Sequence, residues 1–262
     1  MLNKLHIPLS YLQYWMKAVD HHSLHPPFIY QLYCTVIKNK KEYYCFEEIE
    51  DLRRTILEDN TLLKIKDFGS GSRSSKKNQR KVKSIARTGL SSSKFSQLLF
   101  RLVASFKPEI VLELGTSLGI NTLYLASYSA DTKVYTFEGC PETASYAESI
   151  FNKLKKNNIE LIKGNIDKNL PKVVDGLEKI DLIYFDANHS FAPTLSYFDI
   201  TLGKAHEKSL FIFDDIHWSP EMEKAWKAIQ IHPKVTLTID IFDAGLVFFD
   251  RNYKSENYIL EF

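Results

Sequence analysis

The sequence predicts an α/β fold in which a mostly parallel sheet is wrapped by helices and closed by an antiparallel hairpin, behind an N-terminal helical extension. Three observations predict it. From Ile110 onward, short apolar runs of strand length alternate with amphipathic stretches. The first run leads through a glycine-containing turn into a helical stretch, Val111 to Gly119. The last two runs are joined only by Asp243-Ala244-Gly245, which leaves no room for a crossover helix and so requires antiparallel pairing. A chain of 262 residues with 44% apolar and 25% charged residues can bury a sizeable core, and that composition excludes wholesale disorder, collagen and low-complexity scaffolds.

In chain order, residues 1–60 read as helices broken at His25-Pro26-Pro27, with Tyr11, Tyr14, Trp15, Phe28, Tyr30 and Tyr33 as packing residues. Asp67 to Ser72, rich in Gly and Ser, reads as a linker, or as a lid over the ligand crevice. A helix over Ser93–Phe106 puts Phe95, Leu98, Leu99, Leu102 and Phe106 on one face and stops before Pro108. Seven strands follow: Ile110–Leu114, Lys133–Phe137, Ile159–Lys163, Asp181–Phe185, Ser209–Phe213, Val235–Phe242 and Leu246–Asp250. Helices are expected near Ile120–Ala130, Pro141–Lys155, Phe191–Ala205 and Pro220–Ile231, each opening near a proline or polar cap. The organisation read from this is an extension and basic linker over 1–92 and a main domain over 93–262.

Charge is uneven. Residues 1–108 hold 19 Lys+Arg against 9 Asp+Glu, a net +10, and residues 109–262 hold 15 against 23, a net −8. The run Arg73, Lys76, Lys77, Arg80, Lys81, Lys83 and Arg87 has no acidic member and reads as a solvated face balancing the acidic body. Cys34, Cys45 and Cys140 are too few and too scattered for a disulfide framework, and reduced thiols fit a cytoplasmic protein. No apolar run has membrane-spanning length, so a membrane partner is not expected.

The chemistry concentrates where strands end. V-L-E-L-G-T-S-L-G places Glu113, Gly115, Thr116, Ser117 and Gly119 at a strand-to-helix turn, where backbone can approach a ligand and helix N–H groups are open. The G-x-G-x-x-G of a dinucleotide site is absent. Glu138, 23 positions after Gly115, closes the second strand, where a carboxylate can accept bonds from both hydroxyls of a ribose. Gly164-Asn165-Ile166-Asp167 follows the third strand and offers an amide and a carboxylate to an adenine edge. Each of these polar residues has a plainer reading as a turn or capping residue.

Together, E-L-G-T-S-L-G, the acid closing strand two and G-N-I-D after strand three resemble the class I S-adenosylmethionine-dependent methyltransferases over about residues 93–262. The resemblance implies a Rossmann-like, doubly wound seven-stranded sheet of order 3-2-1-4-5-7-6 with the last strand antiparallel. It also implies that Glu113 to Gly119 hold the methionine portion of S-adenosylmethionine, Glu138 the ribose, and Asn165 or Asp167 the adenine. I-D-L-I-Y-F-D-A-N-H-S and L-F-I-F-D-D-I-H-W are similar to the catechol-type O-methyltransferases. That similarity implies Asp186, Asp214 and Asp215 as ligands of Mg²⁺ or another divalent cation, with Asp186 also beside the cofactor. Asp215 stands where those enzymes commonly have Asn; both supply a hard oxygen. Without a metal, His189 or His217 is the candidate general base.

The expected activity is methylation of a hydroxyl on a small-molecule acceptor, by a monomer or homodimer. The D-A-N-H after strand four differs from the N/D-P-P-Y/F of enzymes that methylate base amines, and the basic run lacks interleaved aromatics, which argues against a nucleic-acid partner. The alternatives are a degenerate binding module on the same fold and an RNA ribose methyltransferase. The leaders H-P-P-F-I-Y and D-F-G-S-G-S also resemble those on bacterial members of the superfamily.

Overall fold

The computed structural model describes residues 5–66, 79–253 and 256–262. Asp67 to Ser72, read above as a linker or lid, and Arg73, Lys76 and Lys77 of the basic run lie outside them. The N-terminal stretch forms α1 (His6–Lys17), a single 3-10 turn (His21–Ser23), α2 (Pro27–Leu32), a π-turn (Tyr33–Ile37) and α3 (Tyr44–Glu58). Pro27 takes the first position of α2, where its missing N–H costs nothing, so His25-Pro26-Pro27 breaks the helices as expected. Tyr14 and Tyr33 pack in the core, and Tyr11, though exposed on one side, packs edge-on against the Phe242 ring at 4.9 Å between centroids; Trp15 and Tyr30 are exposed and do not serve the packing role predicted for them.

A short antiparallel pair, β1 (Leu62–Lys64) and β2 (Gln79–Lys81), precedes α4 (Val82–Gly89). Arg80, Lys81, Lys83 and Arg87 of the basic run fall on β2 and α4. Helix α5 (Ser93–Phe106) opens on a Ser92 side-chain cap to the Phe95 N–H and buries Phe95, Leu98, Leu99 and Leu102, as its spacing requires.

There follow β3 (Ile110–Leu114), α6 (Ile120–Ala126), β4 (Lys133–Glu138), α7 (Pro141–Lys153), β5 (Ile159–Lys163), α8 (Ile166–Asp175), β6 (Ile180–Phe185), α9 (Phe191–Leu202), β7 (Ala205–Asp214), α10 (Pro220–Gln230), β8 (Leu237–Asp240), β9 (Ala244–Phe248) and β10 (Glu256–Ile259). The main sheet has the order β10-β8-β9-β7-β6-β3-β4-β5. The seven predicted strands therefore occupy the predicted order, and β9 runs antiparallel to both β7 and β8. An eighth strand, β10, is added parallel to β8. Among the described residues no helix is long and apolar enough to cross a membrane.

The chain divides into two compact units, one of Met1–Asn39 with Val173–Phe262 and one of Lys40–Lys172. In the second, Phe46, Phe100, Leu118, Leu123, Tyr124 and Phe151 belong to one apolar cluster that packs α3, α5, α6 and α7 together. Gly119 is indispensable to it. Its φ is +83°, and a Cβ there would lie 2.7 and 2.9 Å from ring carbons of Phe151. Gly119→Ala is expected to lower stability by about 2–4 kcal/mol, through backbone strain and displacement of the Phe151 ring, measured by urea unfolding.

A polar network crosses the same unit. Glu50 accepts from Ser93 Oγ at 2.6 Å, Tyr124 Oη at 2.7 Å and Arg53 Nε at 3.0 Å, and Arg53 also donates to Ser91 O and Ser96 Oγ. Burial pushes the Glu50 carboxyl up, but these hydrogen bonds and the Arg53 charge outweigh it and hold the pKa below the usual 4.5. A lowered acid pKa contributes stability above pH 4.5 that is lost as pH falls through the folded value. Glu50→Gln is therefore expected to cost about 1–3 kcal/mol at neutral pH, the deficit shrinking in unfolding curves taken below pH 4.5.

Candidate functional site

In the Lys40–Lys172 unit the strand-to-helix turn is built from the inside of β3. Val111, Leu112 and Leu114 are buried, the pattern of a strand covered on both faces. Glu113 is equally buried, and its Oε2 accepts from Thr136 Oγ1 of β4 at 2.6 Å and from Thr122 Oγ1 of α6 at 2.5 Å. Thr116 Oγ1 bonds Thr136 Oγ1, and the Gly115 and Thr116 N–H groups both reach Phe137 O, at 3.1 and 3.0 Å. Glu113 thus ties β3, β4 and α6 around the turn; Thr122 and Thr136, which complete this tie, carry no sequence signal of their own.

The turn then passes through Gly115 at φ +108°, Ser117 at +48° and Gly119 at +83°. Glu138, at the end of β4, stabilises it: Oε2 accepts the Ser117 N–H at 2.9 Å and Oε1 the Cys140 N–H at 2.8 Å. The segment after β1 also docks here, with the Lys66 N–H at 3.4 Å from Cys140 Sγ and the Lys64 N–H bonded to Glu142. Past β5, Gly164 at φ +116° donates to Glu138 O at 2.8 Å. The Asn165 Oδ1 accepts the Asp167 N–H at 2.7 Å, so Asn165 caps the start of α8. Gly115, Glu138 and Gly164 accordingly close or follow three successive parallel strands at their carboxyl ends, where open α/β sheets bind ligands.

In the other unit, Asp186 directly follows β6, and β7 ends at Asp214 with Asp215 next. Tyr184, near the end of β6 and two residues before Asp186, donates its hydroxyl to Asp186 Oδ2 at 3.3 Å. His189 Nε2 lies 3.4 Å from Asp186 Oδ1, and His189 Nδ1 3.9 Å from Asp215 Oδ2. Burial, then the Asp186 and Asp215 charges, push the Asp214 carboxyl well above its usual range. Asp215 is also raised, by burial and by Asp186 and Asp243, against the pull of His189. Burial lowers the His189 imidazole, but bonding to Asp186 and the charge of Asp215 win and raise it above 6.5.

His217 is placed elsewhere. Its Nε2 lies 2.8 Å from Asp240 Oδ2, its Nδ1 3.3 Å from Glu223 Oε1, and its ring stacks on Phe242. The structure groups Asp186, His189, Asp214 and Asp215, then, with His217 in a separate cluster of Asp240, Glu223 and Ser10, whose hydroxyl donates to Glu223 at 2.6 Å.

Backbone strain marks the same places. Of the described non-glycine residues at positive φ, Lys107 and Lys155 end helices, whereas Ser117 (+48°), Asn188 (+52°), Asp215 (+55°) and Phe242 (+69°) all lie in loops just after strands. Left-handed conformations of such residues cost about 1–3 kcal/mol each and concentrate at binding and catalytic sites.

A cation fits the acidic set by donor chemistry. Three carboxyl groups offer hard oxygens, and the upward shifts of Asp214 and Asp215, caused first by burial and then by neighbouring carboxylate charge, are ones that a cation would offset. Their ligand atoms are not drawn into a tight group: among the described residues, the three donors whose ligand atoms all lie within 4.8 Å of one another are Asp20, His21 and His22. S-adenosylmethionine fits the other set, through the glycine-lined turn and the Glu138 carboxylate at the carboxyl end of β4.

Residues 112–216 match a family model described as a methyltransferase domain. No curated protein matches the sequence. Among solved structures, a Podospora anserina methyltransferase bound to SAH is 17% identical with a TM-score of 0.59, covering 87% of this chain and 98% of its own. An O-methyltransferase from Bacillus cereus in complex with SAH is 17% identical at TM-score 0.56, covering 80% of this chain and 92% of its own. The O-methyltransferase TomG from Streptomyces achromogenes, involved in tomaymycin synthesis and bound to SAM, is 16% identical at TM-score 0.56, covering 80% and 91%. With the strand order, the turn after β3 and the family match in agreement, residues 112–216 are similar to a methyltransferase domain and the chain has the fold of the O-methyltransferases solved with SAH or SAM.

Proposed function

We propose that this protein methylates a hydroxyl oxygen of a small molecule with S-adenosylmethionine as donor. The observation that supports the reading most strongly is the succession of Gly115, Glu138 and Gly164 at the carboxyl ends of β3, β4 and β5 within the matched domain. In this reading the turn from Glu113 through Gly115, Thr116, Ser117 and Gly119 receives the methionine portion, and Glu138 receives the ribose hydroxyls while keeping the Ser117 and Cys140 N–H groups in place. Asn165 spends its Oδ1 on the Asp167 N–H, so its Nδ2 is the group that reads an adenine edge, with the Asp167 carboxylate as the competing reader.

Asp186, Asp214 and Asp215 would hold a divalent cation through carboxylate oxygens, and such an ion lowers the pKa of a coordinated hydroxyl. The chain's own contribution is positional. Tyr184 fixes one oxygen of Asp186, and the Asp215 backbone N–H is bonded to Asp243 O at 2.8 Å, so the carboxylates are aimed by the strand ends that carry them. Methyl transfer forms an oxygen–carbon bond as the carbon–sulfur bond breaks, and the hydroxyl proton must leave. His189 is the acceptor within reach of this set, and its raised pKa makes it an effective base only on the alkaline side of 6.5. His217, held by two carboxylates in its own cluster, serves as a positioning residue in this reading rather than as the base.

The test is incubation with S-adenosylmethionine and a panel of mono- and dihydroxy aromatic acceptors, read by mass spectrometry, with and without a chelator. The reading predicts O-methylated product and S-adenosylhomocysteine in equal amounts. Methylation confined to nitrogen acceptors, or to an RNA ribose, would overturn it.

A further inference from the structure

We infer that Asp20, His21 and His22 form a binding site for a divalent transition metal of the zinc class, separate from the methyl-transfer machinery. After α1 the chain bridges to the C-terminal segment, with the Val19 N–H on Ile259 O at 2.9 Å and the Glu261 N–H on Val19 O at 3.1 Å. That anchor sets the next residue, Asp20, at the head of the 3-10 turn. Its Oδ1 accepts the His22 N–H at 3.0 Å, which fixes the carboxylate beside the two imidazoles that follow. The rings of His21 and His22 lie 3.9 Å apart between centroids, and one ligand atom of each of the three residues lies within 4.8 Å of the others.

A tetrahedral zinc site, with bonds of about 2.0–2.1 Å, sets its ligand atoms about 3.4 Å apart. Both histidines are exposed and Asp20 is half-buried, so modest side-chain rotations close the group. Two imidazoles and one carboxylate select a borderline ion such as Zn²⁺ over Mg²⁺, which prefers an all-oxygen octahedral shell. Asp20 and His21 also line an open basin with Tyr33, Cys34, Lys38 and Glu261. The Cys34 thiol and the Glu261 carboxylate, which holds Lys38 Nζ at 3.4 Å, put two further donors on that wall. Because the exposed imidazoles contribute little to the core, packing gives no account of their close approach. A bound ion would clip the turn after α1 and, by binding the folded state alone, stabilise it.

The test is titration of the full chain with Zn²⁺, using a competing chromophoric chelator and excess Mg²⁺, in the parent protein, in His21→Gln/His22→Gln and in Asp214→Asn. The expected result is one equivalent of Zn²⁺ bound by the parent and by Asp214→Asn, with an apparent Kd about tenfold or more weaker in the histidine variant. The thermal midpoint should rise with Zn²⁺ in the parent and not in the histidine variant, whose circular dichroism should be unchanged. Identical isotherms for the parent and the histidine variant, or loss of that equivalent in Asp214→Asn, would overturn the assignment. None of these readouts depends on methyl transfer, so the proposal fails or stands apart from it.

Discussion

Glu138→Ala is expected to abolish measurable binding of S-adenosylhomocysteine, lowering affinity about a hundredfold or more. Two losses combine. The carboxylate would no longer meet a ribose, and the Ser117 and Cys140 N–H groups, now 2.9 and 2.8 Å from its oxygens, would lose their acceptors. Charge-assisted bonds of this kind contribute about 1.5–3 kcal/mol each, and Ser117 sits at φ +48°, a strained conformation that the Glu138 bond helps to hold. The fold should persist, because Glu113 ties β3, β4 and α6 independently through Thr122 and Thr136. Calorimetry on the variant checks both points. Glu138→Gln should fall between the two, since the amide retains one acceptor oxygen but presents a donor to the other N–H.

Asp214→Asn is expected to lower turnover by about a hundredfold or more while raising the thermal midpoint at neutral pH by about 2–4 °C. The sign follows from the raised carboxyl. An acid whose folded pKa lies above its unfolded value favours folding while protonated and loses that stability as pH rises from 3.8 through the folded value. At neutral pH the folded protein therefore bears the cost of burying this carboxyl, and of setting it beside Asp186 and Asp215, and a neutral amide removes it. Thermal scans across pH should show the advantage of the variant vanish on the acid side. A midpoint that falls at neutral pH would mean that Asp214 is held by favourable partners instead. Activity and stability moving in opposite directions is the signature of a site that stores charge for a ligand.

Much of this was legible in the sequence because burial dictates it. The seven predicted strands carry apolar runs that only a covered sheet accommodates, and helix α5 ends where Lys107 turns left-handed before Pro108. The eighth strand was not legible: Glu-Asn-Tyr-Ile at a sheet edge has exposed and half-buried residues and no apolar run. Helix α8 was hidden by Gly164, Asn165 and the internal Pro171, which read as loop chemistry, although Asn165 in fact caps the helix. At the site, the residues brought together were visible as motifs, but their partners were not. Tyr184 could have been found from its two-residue spacing to Asp186. Asp240 and Glu223, which engage His217, are fixed only by tertiary packing.

We propose that the turn after β3 and the acid closing β4 hold S-adenosylmethionine. The most direct measurement is calorimetric titration of the full chain with S-adenosylhomocysteine, run beside NAD and repeated on Glu138→Ala. The expected result is saturable one-site binding of S-adenosylhomocysteine by the parent chain, no binding of NAD, and loss of the signal in the variant. Absence of S-adenosylhomocysteine binding by the folded parent chain, or binding left unchanged by Glu138→Ala, would contradict it.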